Sequence, residues 1–139
     1  MITLKDYYMG RDETYKTLLT PQLRANASIT VARANSLLDA AISDGIFLEV
    51  HPVTHNLVPS GWRPPAINAV TKNAAPNSKH MTCEAIDIYD ADGDLDEWCL
   101  NHLALLEKLG LWLEHPSATK GWCHVQITPP RSGNRVFYP

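Results

Sequence analysis

Ser78–Asp87 reads SKHMTCEAID, and residues 122–126 read WCHVQ. The first stretch sets His80 and Asp87 on either side of Ala85, and the second adds His124. Imidazole and carboxylate are ordinary zinc ligands. Three protein ligands with a fourth position left to water make a catalytic arrangement, whereas four protein ligands close a structural one. A bound ion of this kind lowers the pKa of its water to about 7 and polarises a carbonyl, and a nearby carboxylate can then move the proton. Taken singly, each residue also has a plain structural reading. Asp87 could be a hydrogen-bonded polar group in an apolar strand, His124 a core histidine, and Glu114 beside His115 ordinary surface.

Strand alternation sets these readings against one another, because successive side chains point to opposite faces. In EAIDIYD (84–90), Ile86 and Ile88 share one face and Ala85, Asp87 and Tyr89 the other. In WCHVQI (122–127), Cys123, Val125 and Ile127 share the apolar face and Trp122, His124 and Gln126 the opposite one. In LWLE (111–114), Leu111 and Leu113 face the core and leave Trp112 with Glu114. If the three strands are neighbours, Asp87, His124 and Glu114 converge, and His80 folds back from the loop upstream to join them. Glu114 is the candidate proton carrier, with His115 in reserve. Cys123 cannot be a ligand if His124 is, since they face opposite ways. Cys83 stands three residues after His80, a zinc-pair spacing, and remains open as a ligand or as a turn residue.

The elements that must position these groups are few. Residues 28–45 carry Val31, Ala34, Leu38 and Ala41 at helical steps, with Ser28 or Thr30 as N-cap and Gly45 as terminator. Residues 94–110 read as a second helix, with Asp94 and Glu97 as an acidic capping box, Leu95, Trp98, His102, Leu105 and Leu109 on one face, and Gly110 at its end. Further strands are expected at 46–50 (IFLEV) and 135–137 (RVF). Helix and strand mix without regular alternation, so the expected class is α+β, a small, mainly antiparallel sheet with flanking helices. A chain of 139 residues with 45% hydrophobic content suits one domain, 1–139, with residues 1–50 packed on the same core.

Charge and cysteine usage narrow the partners. Net charge is -3 and no basic stripe appears, which argues against nucleic acid and anionic membrane. No apolar run approaches the roughly 18 residues that span a bilayer. MITLKDYYMGRDE has no apolar segment after its positive charge, so the expectation is synthesis in the cytoplasm without a signal peptide, as a monomer. Cys83, Cys99 and Cys123 are odd in number and lack CxxC spacing, so they are expected as small buried hydrophobes rather than disulfides.

SKHMTCEAID resembles the SxHxxGxAxD signature of the zinc D-Ala-D-Ala carboxypeptidases and L-Ala-D-Glu endopeptidases that cut peptidoglycan stem peptides, a family that includes phage endolysins. GWCHVQ resembles the family's second motif, a tryptophan shortly before the last histidine ligand, and SGWR (60–63) resembles its upstream SGxR. The order and spacing agree over roughly residues 55–128. The resemblance implies a hedgehog or D-Ala-D-Ala peptidase-like fold, with His80, Asp87 and His124 binding Zn2+. It also implies that Arg63 holds a substrate carboxylate, that Ser78 bonds a ligand or substrate, and that Trp122 walls the cleft. The implied activity is hydrolysis of a stem-peptide bond next to a D-amino acid, by an endolysin or virion-associated lysin that reaches the wall after release.

Two positions depart from the pattern. Cys83 stands where the signature has glycine, so a left-handed backbone there would cost about 1 kcal/mol. Gly121 stands where many members carry the catalytic acid, three residues before the last histidine, which leaves Glu114 to fill that role. The rival readings are a non-catalytic, metal-stabilised cell-wall-binding module, with Cys83 closing the site, and a structural phage protein with a vestigial fold.

Overall fold

The computed structural model describes residues 1–139. Four helices precede the sheet: α1 (Leu4–Tyr8), α2 (Arg11–Thr14), α3 (Pro21–Ser43) and α4 (Pro65–Val70). Strand β1 (Ala85–Asp90) follows, then α5 (Asp94–Leu100), α6 (Leu103–Leu109), β2 (Trp112–Glu114), β3 (Gly121–Gln126) and β4 (Val136–Phe137). The class is α+β. The sheet runs β1-β3-β2-β4, with β1/β3 and β3/β2 antiparallel and β2/β4 parallel, so it is mixed.

One apolar cluster joins the N-terminal part to the sheet. It takes in Tyr7 from α1, Leu37 and Leu38 from α3, Ile86 and Ile88 from β1, Leu113 from β2, and Cys123 and Val125 from β3. Removing each leucine side chain of this kind from water contributes about 2 kcal/mol. The long helix α3 buries Ala27, Thr30, Val31, Ala34, Leu37, Leu38 and Ala41, a stripe at helical spacing. No helix is long and apolar enough to cross a membrane.

Several expected boundaries move, each for a physical reason. Helix α3 starts at Pro21 rather than near Ser28, because the Thr20 hydroxyl accepts from Leu23 N and proline suits the first turn. The expected helix 94–110 is two helices. The Asn101 side chain bonds the Glu97 carbonyl, and the His102 ring turns back to the Trp98 carbonyl and stacks on its indole. Asp94 and Glu97 form no capping box. Gly93 takes the N-cap position in the left-handed region, and the Asp90 carboxylate accepts from Leu95 N and Asp96 N across the turn.

Residues 46–50 form no strand. Ile46 and Leu48 lie against the core while Phe47 faces solvent, and the alternation ends there, since Val50 is exposed as well. The edge of β1 that such a strand would need is taken by the segment after it: Tyr89 N donates to Leu57 O, Asp87 N donates to Ser60 O, and Ser60 bridges Asp87.

Candidate metal centre

Sheet register does most of the positioning. Asp87 and His124 are direct cross-strand partners in β1 and β3, which sets their side chains side by side on one face. The β-bridge at Ser60 carries SGWR against the same strand. Gly61 is required there, because a Cβ would lie 2.0 Å from the Tyr7 carbonyl oxygen. Trp62 N then donates to that carbonyl, and Arg63 N donates to His80 O. His80 reaches the site from a tight turn. Met81 N bonds Ser78 O and Glu84 N bonds Lys79 O, while the Thr30 hydroxyl on α3 ties down Cys83 O at 2.7 Å.

The resulting centre is buried. His80 Nε2 lies 3.2 Å and His124 Nδ1 2.8 Å from the same oxygen, Oδ1 of Asp87. One ligand atom from each of the three residues lies within 4.8 Å of the others, so the group could hold a metal ion. The other nitrogen of each ring decides what the centre lacks. His80 Nδ1 is 2.8 Å from the Gly61 carbonyl oxygen, which only accepts, so the proton sits on Nδ1 and leaves Nε2 bare. His124 Nε2 is 3.2 Å from Oε1 of Gln126, whose amide is oriented by donation from Nε2 to Thr128 O, so Nδ1 of His124 is bare as well. While both rings are neutral, two lone pairs thus converge on a carboxylate oxygen. A cation among the three atoms removes the conflict, and imidazoles that donate their far N–H to a carbonyl are the usual outer support of metal ligands. The donor set therefore fits a divalent ion.

Without an ion, the charges of the three groups settle on one another. Burial alone would raise the Asp87 carboxyl, but the two imidazoles hold it well below the usual carboxylate range. Burial keeps His80 below the ordinary histidine value. In His124 the same burial is outweighed by Asp87 and Glu114, and its pKa rises.

A cleft of about 420 Å³ opens onto this group, and Arg63, Ser78, Glu114 and Trp122 all line it. Glu114 Oε2 lies 4.0 Å from His124 Nδ1, and burial raises its pKa. Arg63 donates from Nη2 to Ser78 Oγ at 2.9 Å, and that oxygen also accepts from His80 N. Ser78 therefore braces the arginine against the ligand loop. His115 is turned toward Ser117 and stacks on Tyr138, and it does not line the cleft. Cys83 lies buried in the apolar cluster outside the ligand group, at φ +59, and Cys99 and Cys123 are likewise free and buried. Gly61 and Gln126 were not singled out from sequence. Gln126 was legible in principle, two residues beyond His124 on the same face. The chain matches no family model, no curated protein and no solved structure.

Proposed function

We propose that the protein is a metal-dependent hydrolase, and within that class a zinc peptidase that cuts a peptidoglycan stem-peptide bond next to a D-amino acid. The observation that carries this is the convergence of three bare donors from His80, Asp87 and His124 in a cleft that also holds Glu114 and Arg63. Two nitrogens and one oxygen form a donor set that zinc favours. The order of the SGWR, SKHMTCEAID and GWCHVQ motifs supports the narrower substrate class and the peptidase-like fold. The role would be that of a phage or prophage lysin, acting on the wall after release or from the virion.

A bound zinc ion supplies Lewis-acid activation of water and of the scissile carbonyl. The chain's own residues do the rest. Glu114 accepts a proton at its carboxylate and returns it to the leaving amine, and burial, by raising its pKa, makes it a better base than a surface glutamate. Arg63, fixed by Ser78, offers a planar fork to a peptide carboxylate. Trp122 and Phe137 wall the cleft.

Digestion of purified peptidoglycan, with mass analysis of the fragments, tests the reading. The wild-type protein should release new peptide termini that the His80→Ala protein does not. Glu114→Gln should keep its zinc and lose about 100-fold or more in rate. Fragments identical to those of the His80→Ala control would defeat the assignment.

A further inference from the structure

The cleft does not end at the metal group. Arg63, Lys72, Asp87 and Trp122 also line a second hollow of about 410 Å³, which continues past them to Arg11, Tyr89 and Lys120. Four cations thus face one space whose single carboxylate, Asp87, is committed to the two imidazoles. None of the four makes an ion pair, since every carboxylate contact of that kind in the chain is made by a histidine. Arg11 uses Nη1 to hold the Trp62 carbonyl at 2.7 Å. Arg63 uses Nη2 on Ser78, and its Nε is buried without a partner. Burial, and then the charge of Arg63, hold Arg11 below the ordinary arginine value, as expected of two guanidiniums that line one hollow. Like charges placed together in a partly desolvated space destabilise the chain unless a ligand neutralises them.

We propose that this hollow is a second substrate subsite, which binds a free carboxylate of the stem peptide away from the bond being cut, with Arg11 as its principal contact. The oxyanion chemistry stands on the four cations alone; the identity of the carboxylate rests on the peptidase reading. Guanidinium forks match the two oxygens of a carboxylate, and Tyr89 and Trp122 give the adjoining carbon chain an aromatic wall. A stem peptide with that carboxylate amidated would lose the contact, so Arg11 would set preference among walls that differ in amidation.

Titration calorimetry on the zinc-loaded protein tests this with three probes: glutarate, its neutral diamide, and inorganic phosphate. Glutarate should bind and the diamide should not. Arg11→Gln should weaken glutarate about tenfold or more, and Arg11→Lys, which keeps charge without the fork, by less. Lys120 is exposed and makes no structural bond, so Lys120→Gln keeps the test open if loss of the Trp62 contact disturbs folding; it should weaken glutarate about twofold at low salt. Zinc content should stay the same throughout. Equal glutarate affinity in wild type, Arg11→Gln and Lys120→Gln would place binding at the metal and overturn the subsite. Tighter binding of phosphate than of glutarate, or no binding of either, would overturn it too. Failure of the peptidase reading shows separately, as peptidoglycan without new termini while the glutarate result stands.

Discussion

Two buried aspartates, Asp87 and Asp96, behave in opposite ways. Asp87 on β1 is 8% exposed and Asp96 in α5 is 3% exposed, so burial does not separate them. Asp87 has two imidazoles on one oxygen and is held well below the usual carboxylate range. Asp96 has one hydroxyl donor, Thr119 at 3.0 Å, and its Oδ1 is buried without a partner. Burial, with Asp90 and Glu114 adding like charge, pushes it up to about 6 against the lowering contacts of Cys123 and Thr119. The groups around a buried acid, rather than depth, decide whether it is an anion ready for a metal or a carboxyl that prefers its proton.

The largest expected effect separates the two at the metal. Asp87→Asn keeps the shape and removes the anionic ligand, so zinc affinity should fall by more than the 10- to 100-fold typical of an outer partner. Asp96→Asn should leave the zinc content of the purified protein unchanged. Stripping the wild-type protein with a chelator should lower its thermal midpoint, and readdition should restore it, since an ion at about 1,000 times its Kd stabilises by about 4 kcal/mol. If Asp96→Asn also lost metal, the contrast between the two acids would collapse.

The same contrast marks what the sequence could and could not tell. Alternation alone put Asp87, His124 and Glu114 on one face, because the strand period is fixed by geometry, and the register sets Asp87 directly opposite His124. What alternation could not supply was who occupies the edge of β1. Residues 46–50 have strand composition and form none, whereas Ser60 in a proline-flanked segment bridges Asp87 and so delivers Arg63. That choice depends on the fit of Gly61 against the Tyr7 carbonyl, a contact between residues 54 positions apart. The Asp90 cap on α5 was missed for a related reason: local spacing favoured Asp94, but the strand end lies close enough to supply both acceptor oxygens. Local rules gave faces and stretches; tertiary contacts gave boundaries and partners.

A smaller effect is a pH dependence of stability owed to Asp96. Its folded pKa of about 6 lies above the usual 3.8, so the folded chain binds this proton more tightly than the unfolded one. The contribution is fully present below pH about 4, falls as pH rises toward 6, and then stays lost, a total of at most about 3 kcal/mol. Asp96→Asn carries no proton to lose. Denaturant unfolding at pH 4 and pH 7 should therefore show the variant gaining on the wild type by up to that amount at the higher pH. Parallel curves for the two proteins would mean that Asp96 is satisfied in its ionised form, and that the two acids differ less than their surroundings indicate.

The smallest effect concerns Cys83, three residues after His80 and buried in the apolar cluster. Its backbone is left-handed, at φ +59, which costs a non-glycine residue about 1 kcal/mol. Cys83→Gly relieves that strain but gives up a buried side chain worth roughly 1–2 kcal/mol, so the net change should be within about 1 kcal/mol, a shift of a few degrees in Tm. Zinc content should not move, because the thiol lies in the apolar cluster and burial pushes its pKa up to about 12, which disfavours the thiolate that a metal needs. A variant that folds with a near-normal Tm but loses zinc would make the sulfur a ligand. The centre would then be closed by four protein groups, and Asp87 would belong to a structural site rather than to one with a position left for solvent.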